Sequence, residues 1–288
     1  MRTRFAPSPT GPLHLGHAYA ALVARDLAEH HGGSFLLRFE DIDTTRVRPE
    51  YYNLIEEDLG WLGVTWDEEP LRQSDRLETY ADALSALQEQ GIIYPCFCTR
   101  RAIADEVSRM TNAPHGPEGP VYPGTCRSIS ADERTAKIST GEPHSWRLDS
   151  AKAAESCGDL TFQDLLLGTI AVNLDTMGDV VLARRDIATS YHLAVVTDDA
   201  GQKVTLISRG EDLLSSTHIH MILQDLLGYP EPLYLHHELV CDAAGERLAT
   251  RNDALSIASL RSSGYTPAEV LERLPPMPSL LGNLPGGT

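Results

Sequence analysis

His14 and His17 stand three residues apart at the end of Arg4-Phe5-Ala6-Pro7-Ser8-Pro9-Thr10-Gly11-Pro12-Leu13-His14-Leu15-Gly16-His17. Imidazoles at i and i+3 share one helix face and can donate hydrogen bonds to phosphate oxygens. Behind them Ala20, Val23, Ala24, Leu27 and Ala28 recur at helical spacing, which places the start of an amphipathic helix just past Gly16. The unpaired N–H groups of a helix N-terminus attract anions before any side chain helps. Gly11 and Gly16 permit close approach of backbone and ligand, and Pro7, Pro9 and Pro12 restrict the loop in advance. The chemistry these residues suit is the binding of a triphosphate.

A second constellation is Cys96-x-Cys98 followed by Tyr122-x-x-x-Cys126, three thiolates and a phenolate that suit tetrahedral zinc. His115 competes with Tyr122 as the fourth ligand. Five cysteines are an odd count, and Cys96 and Cys98 lie too near each other for a disulfide framework, so metal is the better reading. Cys157 and Cys241 read as ordinary buried or half-buried residues.

These groups need a scaffold. Gly32-Gly33 ends the first helix, and Ser34 to Phe39 reads as a buried strand with Glu40, Asp41 and Asp43 at its C-terminal end, where open α/β sheets bind ligands. Pro49 starts a helix carrying Tyr52, Ile55, Leu59 and Leu62; Ser74 is expected to cap another, carrying Leu77, Tyr80, Leu84 and Leu87 and ending at Gly91. From Tyr94 the periodicity dissolves into a Pro-, Gly- and Cys-rich segment, the start of an inserted subdomain reaching about residue 179. Val180-Val181-Leu182, Leu193-Ala194-Val195-Val196 and Val204 to Ile207, with Asp199-Ala200-Gly201 as a turn, read as strand, turn and strand. Ile219, Ile222, Leu223 and Leu226 predict a helix closed by Gly228, Leu233 to Leu235 a strand, and Thr266-Pro267-Ala268-Glu269 a capping box before Val270.

The chain has 288 residues, 42% apolar and 23% charged, the composition of a soluble globular protein. No apolar run reaches the ~18 residues of a membrane span, and the Pro-rich start is unlike a signal peptide, so the expected compartment is the cytoplasm. A net charge of −17 argues against broad nonspecific RNA binding and confines any such contact to local basic positions, for which Arg100-Arg101 and Arg184-Arg185 are candidates.

Arg4 to His17 resembles the first signature of class I aminoacyl-tRNA synthetases in its glutamyl form, and Leu37-Arg38-Phe39-Glu40-Asp41-Ile42-Asp43-Thr44-Thr45 resembles the same group's next conserved stretch. The similarity extends from about residue 2 to 255, and the length points to the truncated paralogues of the glutamyl enzymes. The resemblance implies an α/β fold: a Rossmann-like class I catalytic domain with an inserted zinc-containing subdomain and no anticodon-binding domain. Its expected segments are 1–93, the first half of the catalytic domain; 94–179, an acceptor-end-type insert; 180–255, the second half with the last signature loop; and 256–288, a short helical tail. It further implies ATP-dependent, tRNA-independent activation of L-glutamate, with Mg accompanying ATP. Transfer of glutamate to the queuosine at the wobble position of the tRNA(Asp) anticodon loop would follow, by a monomer with one structural zinc.

By the same resemblance His14, Gly16 and His17 hold ATP, Arg4 and Arg209 take the substrate's side-chain carboxylate, Ser8 and Tyr191 add hydrogen bonds, and Glu40 holds the α-ammonium. The metal set is Cys96, Cys98, Tyr122 and Cys126. The last signature falls on Arg247-Leu248-Ala249-Thr250-Arg251, where Thr250 replaces a lysine that steadies the ATP phosphates. A hydroxyl brings no charge, so slower activation is expected unless Arg247 or Arg251 reaches the phosphates. Two alternatives remain at this stage: a shortened synthetase that charges a tRNA 3′ end, and a catalytically weakened glutamate-binding paralogue.

Overall fold

The protein is described here by a computed structural model covering residues 1–109, 115–116, 119–174, 177–241 and 256–278. It opens with β1 (Arg2–Phe5), α1 (Leu15–His30) and β2 (Ser34–Phe39). β1 and β2 pair in parallel, with Arg4 opposite Leu36, and the helix between them supplies the crossover that parallel strands require. Its stripe of Leu15, Ala18, Leu22 and Leu27 is buried in the larger core.

α2 (Glu50–Trp61) begins behind Pro49, and β3 (Leu71–Arg72) extends the first sheet beside β2. α3 (Leu77–Glu89) buries Tyr80, Leu84 and Leu87 as their spacing requires. Ser74 is not its cap: Arg76 occupies that position, and Ser74 Oγ donates to Asp41 Oδ2 at 2.7 Å. A buried carboxylate captured the hydroxyl that local reading assigned to the helix end.

β4 (Ile93–Cys96) is followed by α4 (Arg100–Arg109), the short pair β5 (His115–Gly116) and β6 (Gly119–Pro120), and α5 (Ala131–Ser139). Then come β7 (Ser145–Leu148), α6 (Ser150–Cys157), the hairpin β8 (Thr161–Asp164) and β9 (Gly168–Ala171), and β10 (Val181–Ala183). β7 lies between β4 and β10, antiparallel to both.

α7 (Tyr191–Gly201) corrects the sequence reading, because Leu193 to Val196 and the expected turn at Asp199-Ala200-Gly201 are one helix. All eight residues from His192 to Asp199 are buried. A helix enclosed on every side shows no amphipathic period, and a short apolar run then reads equally as a strand. β11 (Leu206–Gly210), α8 (Leu214–Leu227) and β12 (Leu233–His237) complete a parallel unit, Gly228 ending α8 in the left-handed conformation at φ 64°. β12 also pairs in parallel with β8, giving the order β11-β12-β8-β9. Strand pairing thus links residues 94–179 to 180–255 at two places. α9 (Ile257–Ser262) and α10 (Pro267–Leu271) follow, the latter behind the expected Thr266–Glu269 capping box.

The β1-β2-β3 sheet meets the β11-β12-β8-β9 sheet where Thr205 N donates to Arg2 O at 2.9 Å and Arg4 Nη1 to Ser208 O at 3.4 Å. β1 and β11 therefore run the same way, and the C-terminal ends of β1, β2, β11 and β12 converge. Among the described residues no helix is long and apolar enough to cross a membrane.

Candidate active site

His14 caps α1, and its Nδ1 accepts from His17 N at 3.3 Å while His17 Nδ1 accepts from His14 N at 3.3 Å. Because each Nδ1 lone pair is committed to a backbone N–H, each ring carries its proton on Nε2, the nitrogen that can donate to phosphate. The rings stack with centroids 3.7 Å apart. A Cβ on Gly16 would meet His14 Cε1 at 3.0 Å, so a larger residue there would press on this stack. His14, Gly16, His17, Gly210 and Asp212 line a hollow of about 210 Å³.

That hollow shares Ala20, Gly210 and Leu213 with a cavity of about 390 Å³, whose walls include Arg4, Ser8, Glu40, Tyr191 and Arg209. The histidine pair and both arginines thus line two adjoining hollows at the strand ends. The sheet edge positions them: Arg4 lies on β1, Glu40 just past β2, Tyr191 at the start of α7 and Arg209 on β11.

The arginines are neutralised differently. Arg4 Nε donates to Asp199 Oδ1 at 3.0 Å, and Arg38 Nη1 donates to the same oxygen at 2.7 Å and to Gln202 Oε1 at 3.1 Å. Arg38 Nη2 reaches Glu40 Oε1 at 3.4 Å. Burial pushes the Asp199 carboxyl up, but Arg38 and Arg4 overcome it and hold it below its ordinary range. Burial also raises Glu40, against the opposing pull of Arg38 and Arg4. A cation such as an α-ammonium would favour the ionised form of Glu40.

Arg209 has no carboxylate within ion-pair distance among the described residues. Its Nη2 donates to Thr217 Oγ1 at 2.6 Å, Nη1 to Tyr191 Oη at 3.3 Å and to His220 Nδ1 at 3.2 Å, and Nε to His236 Nε2 at 3.3 Å. It is 5% exposed, so water compensates it little. A buried unpaired charge costs several kcal/mol, and an anion in the cavity removes that cost. Of the residues that line this cavity, Arg4 and Arg209 are cationic and Glu40 is acidic, so the wall carries one surplus positive charge. Glutamate carries one net negative charge and glutamine none, so the wall suits the former.

A third hollow, about 380 Å³, opens beyond Ser8, Glu40 and Tyr191 and is lined by Thr10, Asp43, Arg184 and Ser190. Arg184 Nη1 donates to Asp43 Oδ2 at 3.2 Å. Arg184 also lines, with Arg100, Arg147 and Arg185, a basic hollow of about 470 Å³ beside Cys98. Arg101 points elsewhere, 92% exposed along its side chain.

Cys96, Cys98 and Cys126 bring their sulfurs within 4.8 Å of one another. Cys98 Sγ lies 3.4 Å from Cys126 Sγ, and Tyr122 Oη lies 3.4 Å from Cys96 Sγ and 3.6 Å from Cys98 Sγ. Tetrahedral bonds of ~2.3 Å give ligand separations of about 3.8 Å, so this donor set fits zinc with little movement. Burial pushes the Cys98 thiol up to about 11. The β5 backbone at His115 is described, its side chain is not, so Tyr122 is the candidate fourth donor whose geometry is seen. Arg185 Nη2 fastens the same knuckle, donating to the Phe97 and Cys98 carbonyls at 2.5 and 2.6 Å.

Arg247, Thr250 and Arg251 lie outside the described residues. The flanking chain is at the histidine hollow: Val240 lines it, and Ser256 bridges to His14.

Sequence reasoning passed over Asp199, Arg38, Thr217, His220, His236 and Asp164. Arg38 falls within the Leu37–Thr45 stretch, which by itself gives it no role, and Asp199 falls in the expected turn. The other four carry no local signal for this role, since the Arg209–Thr217 and His236–Asp164 contacts span 8 and 72 positions.

The chain matches the family described as tRNA synthetases class I (E and Q), catalytic domain, over residues 1–277. It is 49% identical to the glutamyl-Q tRNA(Asp) synthetase of Rhodobacter capsulatus, covering 94% of this chain and 98% of that protein. The glutamate–tRNA ligase of Aquifex aeolicus is 37% identical, matching 95% of this chain but 56% of its own length. Among solved structures, a glutamate tRNA ligase from Elizabethkingia meningosepticum aligns over 92% of this chain and 53% of its own, with TM-score 0.74 and 29% identity. With this similarity and a mixed α/β Rossmann-like architecture, the chain belongs to the class I tRNA synthetases of the glutamate and glutamine group.

Proposed function

We propose that this chain is a ligase that activates L-glutamate with ATP, without needing tRNA for that step, and transfers the glutamyl group to the queuosine of the tRNA(Asp) anticodon loop. The observation that carries it is Arg209, a buried cation held only by neutral partners in a cavity that adjoins the His14–His17 hollow. The kinship to synthetases named for that reaction supports the acceptor.

In the first step an α-carboxylate oxygen of glutamate attacks the α-phosphorus of ATP, and the bond to pyrophosphate breaks. Charge grows on phosphate oxygens, so positioning and preorganised donors carry the catalysis. His14 and His17 supply Nε2–H groups beside the α1 N-terminus. Arg209 and Arg4 orient the side-chain carboxylate, Tyr191 and Ser8 add hydrogen bonds, and Glu40 holds the α-ammonium. By the resemblance to the last signature, Thr250 would hydrogen-bond the ATP phosphates and Arg247 or Arg251 would supply the positive charge there. In the second step an acceptor hydroxyl attacks the acyl carbon and AMP departs. The hollow beyond Ser8 and Tyr191 offers the acceptor a way in, and Arg100, Arg184 and Arg185 offer its phosphates contacts. Cys96, Cys98, Tyr122 and Cys126 hold one structural zinc that fastens the insert. The work proceeds as a monomer in the cytoplasm.

The test is glutamate-dependent exchange between ATP and pyrophosphate without RNA, followed by transfer of labelled glutamate to tRNA(Asp) with and without queuosine. Exchange together with queuosine-dependent transfer is the expected result. Transfer that survives on queuosine-lacking tRNA would show 3′-end charging instead, and absent exchange would favour a binding role.

A further inference from the structure

Arg209 donates on every side and accepts nowhere, which fixes the protonation of everything around it. His236 Nε2 receives the Nε–H, so its proton sits on Nδ1, 2.6 Å from Asp164 Oδ2. His220 Nδ1 receives an Nη1–H, so its proton sits on Nε2 and is given to His192 Nδ1 at 3.2 Å. Thr217 Oγ1 receives the Nη2–H. Each of these partners accepts only while uncharged. His220 and His236 are buried, and burial holds both below the usual imidazole range, with the Arg209 charge adding to it.

Arg4, in the same cavity, shows the alternative: its partner is a carboxylate. A guanidinium can be oriented equally well by a carboxylate or by neutral acceptors, but only the neutral frame leaves its charge for a ligand. The frame is built, since Asp164 fixes the far nitrogen of His236 and also receives the Leu166 and Leu167 N–H groups at 2.9 Å. Its charge reaches Arg209 only across an imidazole.

From this geometry we infer that His220, His236 and Thr217 are positioning residues that set selection of glutamate over glutamine, by orienting Arg209 with neutral acceptors and leaving its charge for the substrate's carboxylate. Asp164 and His192 hold the two imidazoles in the required tautomers. The inference rests on the glutamate reading above and says what enforces it.

The experiment compares His220→Asn with His220→Asp, and Thr217→Asn with Thr217→Asp, by kcat and KM for glutamate and for glutamine in pyrophosphate exchange. Asparagine keeps a neutral acceptor, so the glutamate KM should rise less than about tenfold and the preference for glutamate should survive. Aspartate supplies the missing counter-charge, so the glutamate KM should rise about 100-fold with a smaller change in kcat, and the glutamate-to-glutamine ratio of kcat/KM should fall at least about tenfold. The Thr217 pair repeats the comparison from the preceding turn of α8, so a folding failure at position 220 leaves the answer in hand. Equal ratios in the Asp and Asn variants of an active, glutamate-selective protein would overturn the inference alone. A wild type that neither exchanges with nor binds glutamate in calorimetry would overturn the underlying reading.

Discussion

Arg4 Nε and Asp199 Oδ1 lie 3.0 Å apart across 195 positions of sequence, tying the first strand of the protein to α7. The same oxygen holds Arg38 at 2.7 Å, with Arg38 fully buried. One carboxylate therefore orients a residue of the candidate glutamate cavity and ties both β1 and β2 to α7.

Asp199→Asn should leave both guanidiniums without their carboxylate. Breaking a buried pair from one side destabilises by about 3–5 kcal/mol, and the glutamate KM should rise as Arg4 loses its orientation. The native Asp199 carboxyl is held below its ordinary value, so its contribution is complete above a pH of about 4 and fades as pH falls through the lowered native value. Denaturant titrations of wild type and variant between pH 3 and 7 should converge toward acid; curves that stay parallel would remove Asp199 from this role.

The reciprocal cap makes His14 and His17 separable. His17→Asn should reduce kcat of exchange by about 10²–10³-fold, the effect of removing one preorganised donor, with little change in glutamate KM. His14→Ala should add about 1 kcal/mol of lost helix stability, because His14 is also the N-cap. A mainly KM effect on glutamate at position 17 would place the imidazole in the wrong subsite.

Thr250→Lys restores a cation to the last signature. Exchange should accelerate by about tenfold or more if phosphate charge is undercompensated there. A slower variant would show that Thr250, with Arg247 and Arg251, is fitted to this cleft as it stands.

Cys98→Ser should lower the zinc content below the one equivalent per chain proposed for wild type, measured by atomic emission. Amide hydrogen exchange should then rise around Tyr94, Phe97 and Cys126, which form a small core of their own. Wild type purified without chelator and carrying no zinc would contradict the metal set.

Asp58 sets a pH dependence of opposite sign to that of Asp199. It is buried on α2, 3.3 Å from Arg261 Nη2 on α9, and burial raises its carboxyl to about 6 despite that arginine. A raised native value means that its favourable contribution is present below about pH 4 and is lost as pH rises through about 6. Asp58→Asn should therefore be the more stable protein at pH 8, by on the order of 1–3 kcal/mol, with the difference shrinking toward pH 4. Melting temperatures across that range decide it.

Much of the scaffold was readable because its signals are local. The α1 stripe, the Ser34–Phe39 strand, the Gly228 stop and the Thr266–Glu269 box each depend on neighbours within about four residues. Tyr191–Gly201 was not readable, because a helix buried on all sides loses its period. Ser74 was misread because Asp41, 33 positions away, competes for its hydroxyl.

The sequence by itself determined which donors exist and where they fall along each element: paired imidazoles at a helix start, arginines near strand ends, thiols two residues apart. Only the tertiary structure decided which charges are spent. Arg4 and Arg209 are the same residue type on adjacent strands, yet Asp199 folds back onto one and two uncharged imidazoles onto the other. Electrostatic compensation depends on distance and burial, which chain order does not encode, and that difference leaves one positive charge for a ligand.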